Sequence, residues 1–156
     1  MLSFTNKRVL ITGSNGFIGN HLTNRLLKEK AIVYTVAKTM NYRNNVHSYC
    51  VDIRNYKILK KILNMIQPDF IFHLAALTSK RLPKQDYLDV NYNGTINLLS
   101  SLKDVPFKRF IFFSTAEVYH GNPAPFSEEL CTLLPRAALR PKCPFLKEFR
   151  PSIPTP

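Results

Sequence analysis

Three of the chain's five glycines lie close together, at Gly13, Gly16 and Gly19. Backbone without a Cβ can approach a phosphate closely, and the start of a helix supplies N–H donors and a partial positive charge. An apolar run at residues 8–12 precedes this turn, and helical spacing of apolar residues follows it at residues 17–29. A glycine turn between a buried strand and a helix predicts the pyrophosphate site of NAD or NADP. The alternative is an ordinary turn with glycines by chance.

The elements that must position this turn alternate along the chain. Continuous apolar runs predict further strands and 3.6-residue periodicity predicts further helices, which gives strands at 31–37, 47–51, 70–74 and 110–113 and helices at 56–66 and 87–102. This order is typical of an α/β fold with a doubly wound parallel sheet, Rossmann-like and here incomplete. Six of the 11 prolines lie after Leu134. We therefore expect one domain at residues 1–134 and an extended, basic, proline-rich tail at residues 135–156.

Composition excludes several function classes. The net charge of +12 would suit a nucleic-acid partner, but the sequence contains neither a basic-aromatic strand motif nor a helix-turn-helix signal. No stretch approaches the ~20 apolar residues of a membrane span, and no signal peptide opens the chain, so we expect a cytoplasmic protein. The three cysteines share no C-x-x-C spacing, and the histidines share no ligand spacing with them or with carboxylates. We expect no metal site.

Five segments in order resemble one known family. The glycine-turn segment is similar to the cofactor turn of the extended short-chain dehydrogenase/reductases, the NAD-dependent epimerase/dehydratase group that modifies nucleotide sugars. The other four resemble, in order, the family's adenine-flanking segment, the strand end under the nicotinamide ribose, the helix start beside it and the catalytic serine/threonine segment; the five segments are residues 9–19, 51–54, 72–76, 91–95 and 113–119. The resemblance covers roughly residues 7–134 and implies a dinucleotide cofactor and a nucleotide-sugar partner.

Carried over residue by residue, the resemblance implies a set of cofactor contacts, which are Gly13, Asn15, Gly16, Phe17, Ile18, Gly19, Lys38, Asp52, Ile53, Leu74, Ala75, Ala76 and Asn91. Two residues in these segments have a second interpretation. Asp52 could instead cap the next helix. His73, on an apolar strand, is more often a satisfied core histidine than a ligand or a base, and we favour the core interpretation.

The preferred dinucleotide depends on the end of the second strand. In this family an acid there binds the ribose diol of NAD, about 20 residues past the glycine turn. Here the position is Ala37, followed by Lys38. An unopposed lysine attracts a 2′-phosphate, so the sequence favours NADP over NAD. The alternative is that Lys38 is a solvated loop residue.

For catalysis, the resemblance assigns Thr115 to hydrogen-bonding the substrate oxygen and Glu117 to proton abstraction beside a carbonyl. The acid that sugar dehydratases often carry before this glutamate is Ala116 here. The Tyr-x-x-x-Lys pair expected shortly after residues 126–129 is absent, and no tyrosine follows Tyr119. We expect cofactor binding without turnover, with a non-catalytic dinucleotide-binding or interaction module as the alternative. A frameshift or truncation near residue 135 would explain the departure, and an unpaired edge at the strand of residues 110–113 would favour self-association.

Overall fold

A computed structural model of the chain describes residues 3–40, 42–79 and 81–114. Strands and helices follow the predicted order, with β2 leading directly into β3 and most ends within one residue of the expected positions. The elements are β1 (Arg8–Thr12), α1 (Phe17–Lys28), β2 (Ile32–Ala37), β3 (Val46–Cys50), α2 (Tyr56–Ile66), β4 (Phe70–His73), α3 (Lys84–Tyr87), a π-helical segment (Leu88–Asn93), α4 (Gly94–Ser101) and β5 (Arg109–Phe112). The expected tail at residues 135–156 lies outside the described residues.

The five strands form one parallel sheet in the order β3-β2-β1-β4-β5. The chain runs from β1 outward to β3 and then crosses back to β4 on the other side of β1. This is the strand order of a Rossmann-like sheet, so the predicted fold class is confirmed. The reversal leaves a crevice between the carboxyl ends of β1 and β4, where such sheets bind their ligands.

Both faces of the sheet are covered. Successive side chains of a strand point to opposite faces, and in β1 Leu10 packs with α2 and α4 while Val9 and Ile11 pack with α1. All three side chains are fully buried. Burial on both faces explains why the middle of β1 is continuously apolar instead of alternating.

The helix predicted at residues 87–102 differs from the observed one. It begins earlier, at Lys84, and widens to π-helical geometry over Leu88–Asn93 before continuing as α4. The widening coincides with a side-chain hydrogen bond: the Thr95 hydroxyl donates to the main-chain carbonyl of Asn91 at 2.7 Å. A π-helical segment inside a helix often lies at a functional site.

The rim of the described sheet is apolar on one side. β5 is the last strand in the order, and Phe112 and Phe113 are exposed there. Self-association through this edge stays a prediction. Within the described ranges, no helix is long and apolar enough to cross a bilayer.

Candidate functional site

A cavity of about 240 Å³ opens at the carboxyl ends of β1, β2 and β4. Nine of the thirteen residues predicted to contact a cofactor line it, namely Gly13, Asn15, Gly16, Lys38, Asp52, Ile53, Leu74, Ala75 and Ala76. The fold therefore brings together segments that are up to 63 residues apart in sequence. Six further residues complete the lining and were not in the predicted set: Val36, Ala37, Thr39, Val51, Leu77 and Val90. Most of them lie in or next to the segments singled out from the sequence.

Gly13 forms the floor of the glycine turn. Its φ is +73°, a left-handed conformation that side chains disfavour. A Cβ at this position would lie 2.6 Å from the amide nitrogen of Ala75 and 2.7 Å from the carbonyl carbon of Leu74. Glycine here lets the turn after β1 pack directly against the backbone that follows β4.

Gly16 has a different role. It precedes the first turn of α1 with φ −72° and ψ 168°, an extended conformation that any residue adopts. A Cβ at Gly16 would meet only the Gly13 carbonyl oxygen, at 3.4 Å. Among the described residues, no side chain caps the start of α1 and no acid lies in its first turn. The N-terminal dipole of α1 therefore lies beside the cavity with no acid in the first turn of the helix to oppose it.

Gly19 serves packing. A Cβ there would lie 2.7 Å from the Cα of Ser14, so glycine allows α1 to sit close against the turn. Gly19 is not part of the cavity lining, and neither are Phe17 and Ile18. The side chains of Phe17 and Ile18 are 82% and 53% exposed, and the Phe17 ring contacts the His21 ring edge-on.

Asn15 joins the glycine turn to the loop that follows β2. Its Nδ2 donates to the carbonyl oxygen and to the hydroxyl of Thr39, both at 2.8 Å. Because Lys38 immediately precedes Thr39, this contact holds the Lys38 backbone beside the turn. The two predicted segments thus form one continuous wall.

Lys38 faces a carboxylate. The preference for NADP assumed an unopposed lysine, and that assumption is wrong. Its Nζ lies 3.8 Å from Oδ2 of Asp52, because β2 and β3 are neighbours and end at the same edge of the sheet. Asp52 also receives hydrogen bonds from Arg54, whose Nη2 donates to Oδ2 at 2.7 Å and whose Nε lies near both oxygens. These bonds hold the pKa of the Asp52 carboxyl below its usual value, although partial burial acts in the opposite direction.

The second interpretation of Asp52, as a helix cap, is wrong. The cap of α2 is Asn55, whose Oδ1 accepts from the Ile58 amide at 3.2 Å. Asp52 lies three residues earlier and accepts instead from the backbone amide of Arg54 at 2.9 Å. The Asp52 carboxylate is thereby fixed at the cavity wall.

His73 is a buried and satisfied histidine, as the core interpretation predicts. It is 1% exposed, with Nδ1 2.6 Å from the hydroxyl of Thr12 and Nε2 2.8 Å from the hydroxyl of Thr95. Thr95 gives its own hydrogen to a carbonyl, so Nε2 must carry the imidazole proton and Nδ1 must accept from Thr12. Burial lowers the pKa of His73 to about 4. His73 is therefore neutral at physiological pH.

Asn91 acts on the cavity through its neighbour. Its Oδ1 accepts from the Leu77 amide at 2.7 Å and its Nδ2 donates to the Leu77 carbonyl at 3.0 Å. Leu77 lines the cavity and Asn91 does not. The Asn91 side chain thus bonds both backbone groups of Leu77, as a neighbouring strand would do for the segment beyond β4.

The predicted catalytic residues, Thr115 and Glu117, lie outside the described residues. The Tyr-x-x-x-Lys spacing does occur on α2, where Lys60 Nζ lies 5.9 Å from the centre of the Tyr56 ring. Neither residue lines the cavity, so this pair is not placed to act as the catalytic Tyr-Lys pair there. In the part of the chain that the structure describes, no three histidine, cysteine or acidic side chains cluster as metal ligands would.

The chain is similar in sequence to proteins of one known family. Residues 9–141 match the NAD dependent epimerase/dehydratase family. A UDP-glucuronate 4-epimerase of Thermodesulfobacterium geofontis is 34% identical over 139 residues, which are 78% of this chain and 43% of that protein. A UDP-N-acetyl-alpha-D-glucosaminuronate decarboxylase of Bacillus cytotoxicus is 33% identical, over 79% of this chain and 41% of that protein.

Solved structures show the same likeness. An epimerase from Methanothermobacter thermautotrophicus superposes with a TM-score of 0.74 at 28% identity, covering 81% of this chain and 41% of that one. A UDP-glucose-4-epimerase from Stenotrophomonas maltophila, solved with bound NAD and formylated UDP-arabinopyranose, gives 0.69 at 26% identity, covering 79% and 41%. The chain spans less than half the length of these relatives.

Proposed function

Because this chain belongs to the NAD dependent epimerase/dehydratase family, we propose that it binds NAD or NADP in the cavity at the carboxyl ends of β1, β2 and β4. The observation that carries the proposal is the glycine turn. Gly13 adopts a positive φ directly against the β4 end, and the uncapped start of α1 faces the same cavity. Backbone donors and a helix dipole at one point suit a pyrophosphate.

The two sides of the cavity suit the rest of the dinucleotide. Apolar walls from Val36, Val51 and Ile53 lie on the β2 and β3 side, beside the fixed carboxylate of Asp52. Such walls accept the face of an adenine, and a carboxylate accepts a hydrogen bond from an amino group. On the β4 side, Leu74, Ala75, Ala76 and Leu77 supply small and apolar surface for the nicotinamide ribose.

The finer parts of the proposal concern the cofactor form and the substrate. We propose nucleotide sugars as the substrate class, since relatives that match this chain are named as enzymes of UDP-sugars. A bound nicotinamide would take up and return a hydride from a sugar carbon. Thr115 would hydrogen-bond the substrate oxygen and Glu117 would accept a proton beside the carbonyl. The proposed cofactor is NAD or NADP. NADP is favoured over NAD only to the extent that the Lys38 side chain gives up its ion pair with Asp52 and binds the 2′-phosphate.

Thr115 and Glu117 alone do not complete that reaction, and we further propose that this chain binds its dinucleotide without turning over a sugar. A hydride step needs a group that moves the hydroxyl proton, and the sequence after Tyr119 contains no tyrosine to supply it. This makes a dinucleotide-binding module the function that the chain's own residues support.

Calorimetric titration of the full chain with NAD, NADP and ADP-ribose tests the binding proposal. Saturating ligand should also raise the stability of the fold, by about 2.7 kcal/mol at a hundredfold excess over the dissociation constant. ADP-ribose separates the adenosine and pyrophosphate contacts from those of the nicotinamide. A folded chain that binds none of the three ligands at millimolar concentration would overturn the proposal.

A further inference from the structure

The turn at residues 52–54 forms one wall of the cavity through Asp52 and Ile53. β3 ends before this turn, at Cys50, so both side chains lie beyond the sheet. Within the turn, the Arg54 amide donates to Oδ1 of Asp52 at 2.9 Å, which ties the carboxylate to the Arg54 backbone. The position of the wall therefore depends on what holds that backbone.

Helix α4 holds the turn through Asn97. The Asn97 Nδ2 donates to the main-chain carbonyl oxygen of Arg54 at 2.9 Å and lies 3.5 Å from the carbonyl oxygen of Ile53. Arg54 in turn directs its amide and its guanidinium to the Asp52 carboxylate. Asn97 does not line the cavity, so it acts on the Asp52 carboxylate only through the Arg54 backbone.

Gly94, one helical turn before Asn97, lets α4 come this close. A Cβ at Gly94 would lie 2.6 Å from Cδ1 and 2.7 Å from Cγ1 of Ile53. Because glycine leaves that space to the Ile53 side chain, the helix packs directly on the turn and Asn97 reaches the Arg54 carbonyl. The same helix therefore sets both the carboxylate and the apolar part of this wall.

We infer that Asn97 is a positioning residue that makes the site selective for adenine over other purines, by holding the backbone of residues 52–54. The inference rests on the proposed function. A fixed carboxylate accepts a hydrogen bond from the adenine amino group and repels a carbonyl oxygen at the same place. Such selectivity is lost when the carboxylate can move away from the base, and the Asn97 bond to the Arg54 carbonyl opposes that movement.

Nicotinamide hypoxanthine dinucleotide tests the inference, because it carries a ring carbonyl where NAD carries the adenine amino group. Calorimetric titration of the full chain with both gives the ratio of their dissociation constants, in which a general loss of affinity cancels. The wild-type chain should prefer NAD by about tenfold or more. Asn97→Ala should reduce this preference to about threefold or less. The isosteric Asn97→Asp should do the same, because a carboxylate cannot donate to the Arg54 carbonyl.

Asn64→Ala is the matched control, since Asn64 is an exposed asparagine on α2 outside the cavity lining. It should keep the wild-type ratio. A wild-type ratio near one, a ratio that both Asn97 variants leave unchanged, or an equal fall in Asn64→Ala would overturn the inference while leaving dinucleotide binding intact. If the folded wild-type chain binds neither dinucleotide, the proposed function fails and this inference fails with it.

Discussion

The hydroxyl of Thr12 lies 2.6 Å from Nδ1 of His73, joining the last residues of two neighbouring parallel strands. The bond belongs to a directed series. The Ala75 amide donates to Thr12, Thr12 donates to His73, and His73 donates to Thr95, whose hydroxyl ends on the Asn91 carbonyl. Every donor points the same way along the series. One buried imidazole therefore connects the strand before the glycine turn to the helix opposite it.

The first prediction is that His73 makes the fold sensitive to mild acid. The neutral ring accepts from Thr12, and burial lowers its pKa to about 4 from 6.5. The unfolded chain binds this proton at higher pH than the folded chain does. The contribution of His73 to the free energy of unfolding is therefore fully present above pH 6.5 and is lost as the pH falls toward 4. The loss from this group is about 3 kcal/mol over that window.

Urea unfolding between pH 7 and pH 4 measures this dependence. The variant His73→Gln should be less stable at pH 7 and should lack this part of the pH slope. His47→Gln, which changes an exposed histidine on β3, is the control and should keep it. A wild-type slope retained in full by His73→Gln would show that another group is responsible.

The second prediction separates two glycines of the turn. Gly13→Ala should destabilise the fold by about 2 kcal/mol or more, because it combines a positive φ with contacts below 3 Å to the backbone after β4. Gly16→Val should cost about 1 kcal/mol or less, because its φ is ordinary and its Cβ has space. The added side chain of Gly16→Val should nevertheless weaken NAD binding by about tenfold or more, since it enters the cavity.

Thermal or urea unfolding and NAD titration of both variants check this contrast. Unchanged NAD affinity in a folded Gly16→Val variant would contradict the pyrophosphate site.

The third prediction concerns the contact between Asn91 and Leu77. Asn91→Ala removes two hydrogen bonds to the Leu77 backbone, so we expect a loss of about 1–3 kcal/mol in stability. Binding of NAD should weaken more than binding of AMP, because Leu77 lies on the β4 side of the cavity. Asn93→Ala, in the same π-helical segment but exposed, should change neither affinity. Equal losses for NAD and AMP would point to a general loss of structure.

The fourth prediction is an absence of turnover. The full chain, given NAD or NADP and a panel of UDP-sugars, should produce no reduced cofactor and no altered sugar, because the Tyr-x-x-x-Lys pair is missing from its expected place. Absorbance of the reduced nicotinamide and chromatography of the sugars measure this. Turnover that Thr115→Ala abolishes would contradict the prediction and identify a different proton-transferring group.

The glycine turn and the alternation of strands and helices could be predicted from the sequence because both depend on residues that are close along the chain. A strand is recognised from four to six neighbouring residues that are mostly apolar, and the three-glycine spacing lies between one strand and one helix. Nine of the thirteen residues that the resemblance assigns to the cofactor line one cavity, and their contact with a cofactor stays a prediction. The conformation of each glycine could not be read in this way: only Gly13, of the three, has a positive φ.

Only the tertiary structure decided which distant side chains face each other. Lys38 meets Asp52 because β3 pairs beside β2, and Thr12 meets His73 because β4 pairs beside β1 on the other side. Strand order and register depend on burying both faces of the sheet at once. This is a property of the whole core, so the residues next to any one position do not reveal it. Sequence therefore predicted most of the residues that line the cavity, and packing determined which partners their side chains meet.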